Sequence, residues 1–144
     1  MSSPSEVAPA RPRVLPPSIR QASFDDYDQI AAVEAALGLT LRPREEWLHL
    51  WQNNPACEQI PDWPIGWVLE DEDKQIVGSI GNIPLLFKFG GRTCVAATFR
   101  GWAVDQRYRA FSLMLVTHKL QHPGVDLHLV TTVGPMPQAV FMNT

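Results

Sequence analysis

The order of elements in this sequence predicts an α+β domain with a mixed, mostly antiparallel sheet flanked by helices. Three observations carry that prediction. Between Ser18 and Asn53 a short strand is followed by apolar residues at helical spacing. From Gly66 to Val104 the period becomes that of strands, punctuated by two turn signals. A helix-patterned stretch then precedes one more apolar strand, which gives β–α–α–β–β–β–α–β with a further helix starting after Gly134.

The elements follow in order. Residues 1–17 carry Pro4, Pro9, Pro12, Pro16 and Pro17 among small residues, a composition that favours an extended, disordered tail before a single domain over 18–144. After a strand at Ser18 to Ala22, Ser23 stands as an N-cap with Asp25 and Asp26 in the first turn. The helix "FDDYDQIAAVEAAL" places Tyr27, Ile30, Ala31, Glu34 and Leu37 at helical spacing and stops at Gly38. A second helix runs from Pro43 to Asn53 with Trp47, Leu50 and Trp51 on one side, closed by Pro55. "EQIPDWPIG" reads as a loop.

Three antiparallel strands are expected at about 66–70, 75–89 and 92–104, joined by a tight turn at "EDEDK" and a hairpin turn at Gly90-Gly91. Gly78, Gly81 and Pro84 suggest bulges or a break in the long middle strand. A helix from about Arg109 to Gln121 would turn Leu113, Val116 and Leu120 to the core, with His122, Pro123 and Gly124 ending it. "VDLHLVTTV" at 125–133 is the last strand, reached by a crossover from 92–104.

Bulk properties narrow the function. The chain has 144 residues, enough for one domain, with 45% apolar and 19% charged residues. A net charge of −3 argues against a protein that neutralises many nucleic-acid phosphates. No stretch is long and apolar enough for a membrane span, and the first residues lack the apolar core of a signal peptide. Cys57 and Cys94 have no metal-type spacing, so two reduced, buried thiols in a cytoplasmic protein are expected.

The segments "IRQASFDDYDQIAAVEAA", "IVGSIGNIPLLF", "GWAVDQRYRAFSLMLV" and "LVTTVGPMPQAVF" resemble, in this order, successive parts of the GCN5-related N-acetyltransferase (GNAT) fold. They are similar to its opening strand and helix, its second and third strands, its fourth strand with pyrophosphate loop and third helix, and its fifth strand with the entry to the fourth helix. The resemblance covers Ser18 to the end. It implies an acyl-CoA-dependent N-acyltransferase with acetyl-CoA as co-substrate, a small-molecule or peptide amine as acceptor, and no metal.

By resemblance, Trp102, Ala103 and Val104 present a backbone edge to the cofactor's amide-bearing arm, as an added strand would. Arg109 takes the arginine position of the pyrophosphate loop, with Arg107 and Ala110 beside it and the backbone of Ser112, Leu113 and Met114 at the helix start. Ser112 and Met114 stand where the family keeps glycine, and glycine is what lets backbone approach a ligand closely. Losing one charge-assisted bond there costs about 1.5–3 kcal/mol. The family's proton-donating tyrosine position falls on Phe141, which cannot donate. The resemblance also implies a C-terminally truncated domain lacking the last two strands, so that a homodimer contact or a partner chain would cover the open edge. A non-catalytic domain of the same fold, serving as a ligand-binding or interaction module, is the alternative reading.

Asp105 is the candidate general base, because it ends the strand at the junction where amine and thioester would meet; its plainer role is turn former. His118 and His122 have the four-residue spacing of a metal pair but no third ligand, so a solvated helix end is expected. His128 reads as a satisfied core or edge histidine, and the acidic run Glu70 to Asp73 as a solvated turn. Trp47, Trp51, Trp63 and Trp67 fit core packing better than an acceptor pocket.

Overall fold

The computed structural model describes residues 13–131. Most of the proline-rich tail, the segment expected to start a helix after Gly134, and Phe141 lie outside the described residues.

A five-stranded sheet in the order β1-β2-β3-β4-β5 forms the centre. The strands are β1 (Ser18–Gln21), β2 (Gly66–Glu70), β3 (Ile76–Phe89), β4 (Arg92–Val104) and β5 (Leu127–Leu129). All neighbours pair antiparallel except β4 and β5, which are parallel across the expected crossover. Gly90 and Gly91 both take positive φ, 58° and 80°, as a two-residue hairpin turn of the primed type requires. The sheet is thus as the alternating pattern predicts, within a residue at each strand end except in β5.

Helices α1 (Tyr27–Ala36), α2 (Arg44–Gln52) and α3 (Pro55–Gln59) follow β1, and α4 (Ser112–Leu120) joins β4 to β5. The core has two layers. Trp67, Leu69, Val77 and Ile80 of the sheet pack with Tyr108, Leu115 and Val116. Val68 and Ile76 pack with Ile30, Trp47, Trp51 and Ile65. Adjacent residues of β2 thus serve opposite layers, and Val68 and Leu69 are fully buried. Arg20 ties β1 to the turn before α1, donating to both carboxylate oxygens of Asp26 at 2.8 and 2.9 Å and pairing with Glu70 at 3.1 Å. The guanidinium holds the Asp26 carboxyl below the usual range.

Three expectations need correction. Pro55 does not merely close α2; it opens α3, whose cap Asn54 accepts the Ala56 N–H at 3.0 Å. Proline is tolerated there because the first helical N–H has no partner anyway. Leu113 and Leu120 do not face the core: they are exposed, and the buried face of α4 is Leu115, Val116 and Lys119. A lysine occupies a core position, so apolar spacing pointed to the wrong stripe. Glu70 does not belong to a solvated turn; it is buried against Arg20.

Candidate functional site

The local irregularity that shapes the site is in β4. Ser79 pairs with Ala103 and Gly81 with Arg100, so Gly101 and Trp102 together oppose the single residue Ile80. This is a β-bulge, and Gly101 takes φ 60° within it, a conformation that favours glycine. On its other side β4 pairs with β5 only at Ala96, Ala97 and Thr98. Among the described residues the pairing stops there, while β4 continues through the bulge to Val104. Ala103 is buried, and Trp102 and Val104 are half-buried.

At the end of β4 the chain turns into a 3-10 helix over Gln106–Phe111, which runs directly into α4. Asp105 caps this turn: its Oδ1 accepts the Arg107 N–H at 2.9 Å and Nε–H at 3.2 Å, and its Oδ2 accepts from Arg107 Nη2 at 3.2 Å. These bonds hold the Asp105 carboxyl below the usual carboxylate range. Tyr108 donates its N–H to the Asp105 carbonyl at 2.8 Å, and its ring anchors the turn in the core. Ser112 donates its N–H to the Arg109 carbonyl.

Without glycine, this turn differs from an open anion-binding loop. An anion nest needs neighbouring residues of αR and αL type. Between Asp105 and Leu120 no residue has positive φ. The segment satisfies its N–H groups as a helix does, so what it offers an anion is the start of α4 and its side chains. Arg107, Arg109, Ala110 and Leu113 are exposed, and Ser112 and Met114 half-buried. The structure thus brings the sequence-predicted residues of β4 and α4 to one corner, with Asp105 engaged by Arg107.

Two functional candidates escaped the sequence reading. Glu34 of α1 is 5% exposed, its Oε1 3.5 Å from Arg100 Nη1. Its carboxyl lies so close to the bulge that a Cβ on Gly101 would overlap Oε1. Burial raises the Glu34 pKa above the usual carboxylate range, against an opposing pull from Arg100. Glu34, Ser79 and Arg100 help line a small cavity of about 10 Å³, roughly the space one water requires. The available signal was a glutamate four residues after core-facing Ile30.

The other is Lys119, fully buried under β4. Its Nζ donates to Asn82 Oδ1 at 2.5 Å and to the Thr98 carbonyl at 3.3 Å, and lies 4.5 Å from the centre of the Phe99 ring. Burial drives its pKa down to about 7. Asn82 is a hub: its Nδ2 donates to the Pro64 carbonyl, while its own carbonyl accepts the indole N–H of Trp51 at 2.8 Å and of Trp63 at 2.9 Å. His122 is not a solvated helix end; it is half-buried, with ring centroids 4.8 Å from Trp63 and 5.9 Å from Trp67. His118 is exposed. His128 packs beside Phe99. Burial, then the nearby Lys119, depresses the pKa of both His122 and His128. Cys57 is half-buried and Cys94 buried, both as free thiols. Among the described residues no group of three or more His, Cys, Asp or Glu could hold a metal, and no helix is long and apolar enough to cross a membrane.

No family model and no curated protein matches the chain by sequence. Solved structures do. The glucosamine-6-phosphate N-acetyltransferase of Arabidopsis thaliana superposes with a TM-score of 0.62 at 16% identity, covering 88% of each chain. An acetyltransferase of Trypanosoma brucei gives 0.62 at 14% identity over 88% of this chain and 89% of its own. A predicted acetyltransferase of Clostridium acetobutylicum, solved with acetyl-CoA, gives 0.61 at 12% identity over 88% and 87%.

Proposed function

We propose that this chain, whose fold is that of the GNAT N-acetyltransferases, transfers an acetyl group from acetyl-CoA to an amine. The observation that carries the reading is that among the described residues β4–β5 pairing ends at Thr98, followed by a bulge at Gly101 that lies against the buried carboxyl of Glu34. A strand edge that continues past its partner can accept an extended, amide-bearing ligand through main-chain bonds.

In this reading the backbone of Trp102, Ala103 and Val104 takes the cofactor's arm, and N–H groups near Ala103 and Val104 polarise the thioester carbonyl. Arg109, with Arg107 and Ala110 beside it, meets the pyrophosphate at the start of α4, where Ser112, Leu113 and Met114 supply the positive end of the helix. The amine nitrogen attacks the carbonyl carbon, the C–S bond breaks, and the amine gives up a proton. Of the two carboxylates near the junction, Asp105 is the poorer base, because its Arg107 partner favours the ionised form. Glu34 holds a proton more readily and is the base we assign.

A second reading, a non-catalytic ligand-binding or interaction module, is favoured by two observations: Ser112 gives its N–H to Arg109, and Asp105 engages Arg107. Thiol release from acetyl-CoA, followed with a panel of primary amines, decides between them. Release that depends on amine supports transfer. Binding of acetyl-CoA without release for any amine supports the second reading.

A further inference from the structure

An open cleft lies beside α2, α3 and the segment leading into β2, with a volume of about 330 Å³. That is within the range of small-ligand sites, roughly 300–1,000 Å³. Its walls include Phe24, Trp51 and Trp63. Trp51 is a core residue, 3% exposed, and Trp63 is half-buried. Both spend their indole N–H on the main-chain carbonyl of Asn82, so the half-buried rings of Phe24 and Trp63 are the aromatic carbon the cleft offers. Two exposed carboxylates, Glu58 and Asp62, also line it, and among the described residues none that lines it is Lys, Arg or His. Asp62 is held there at φ 59°. Cys57 also lines the cleft, its thiol pKa pushed up by burial.

Aromatic carbon on the walls and uncompensated negative charge are the two features that attract an organic cation. We propose that this cleft binds a primary ammonium group carried on a flat apolar body. The apolar part packs against Phe24 and Trp63, and the ammonium meets Glu58 and Asp62. The cleft shares Trp51 and Ile65 with the small cavity that contains Glu34, so an amine held here stands on the α1–α2 side of the sheet, as Glu34 does. The fate of the amine as acyl acceptor rests on the transferase reading; its binding does not.

The test is a titration of the full chain with benzylamine at pH 7, without acetyl-CoA, read by tryptophan fluorescence. Benzyl alcohol serves as the uncharged control, and the alkylation rate of Cys57, separated from Cys94 by peptide mapping, serves as the local readout. Benzylamine should saturate the fluorescence change and slow Cys57 alkylation. Asp62→Asn and Glu58→Gln should each weaken it by about two- to fivefold, the usual size of one exposed charge contact. Both positions are exposed, and asparagine tolerates the positive φ at 62. Equal affinities for amine and alcohol, no saturation, or unchanged Cys57 alkylation at saturating benzylamine would each overturn the proposal. None of these outcomes touches acetyl-CoA binding, which is measured separately.

Discussion

Lys119 Nζ donates to Asn82 Oδ1 at 2.5 Å inside a fully buried environment, and no acidic residue pairs with it among the described residues. Asn82 in turn holds Trp51, Trp63 and Pro64. One buried amine thus sits on the hub that joins the two core layers.

This arrangement predicts a pH dependence. The Lys119 pKa falls from its usual 10.5 to about 7 on folding, so between those values the unfolded chain holds a proton that the folded one lacks. Stability contributed by this group therefore rises from pH 7 to about pH 10, and below pH 7 its penalty is constant. The shift corresponds to a penalty of roughly 3–5 kcal/mol near neutrality. Leaving Asn82 Oδ1 without its donor costs about 1–3 kcal/mol, which is less. Lys119→Met should raise the denaturant midpoint at pH 7, and its advantage should shrink by pH 10. A variant less stable than the parent at pH 7 contradicts this.

The close approach of Gly101 and Glu34 makes a coupled pair. Gly101→Ala adds a Cβ at φ 60° that overlaps Glu34 Oε1, and strain of this kind costs about 1–3 kcal/mol. Glu34→Ala removes the overlap but not the dihedral penalty. In a double-mutant cycle the two changes should therefore sum to less than their separate losses, with a coupling of at least about 0.5 kcal/mol. Strict additivity in urea denaturation would show that the bulge and the carboxyl do not meet.

Glu34 as base predicts a signature in the rate. Its folded pKa lies above the usual carboxylate value, so kcat/KM should rise with pH as the carboxyl ionises, through a pKa above the ordinary range. Glu34→Gln should remove that limb and lower kcat by about 10²–10⁴. Asp105→Asn should leave the limb in place, since Arg107 keeps Asp105 ionised throughout. A limb that survives Glu34→Gln and disappears with Asp105→Asn reverses the assignment.

Much of the fold was legible because local signals and tertiary fate agree. Alternation from Gly66 to Val104 with Gly90-Gly91 between the strands leaves few other pairings, and β2 to β4 emerge nearly as read. The site was only half legible. Arg109 and the β4 edge follow from chain order, whereas the shape of the turn depends on glycines that are absent. The 3-10 winding over Gln106–Phe111 is decided by how the chain satisfies its own N–H groups once positive φ is excluded. Lys119 was hidden for the opposite reason: a charged side chain in a core position defies the pattern. The α4 stripe was misread on the same account. Glu34 stands at core-facing spacing in the sequence, and only tertiary placement reveals the bulge it touches.

Calorimetric titration of the folded chain with acetyl-CoA, alongside Arg109→Ala, asks whether the β4 edge and the start of α4 hold an acyl-CoA. Binding should saturate and should weaken about tenfold or more in the variant, the scale of one lost charge-assisted contact. No heat of binding at millimolar acetyl-CoA, from protein shown to be folded, contradicts this expectation.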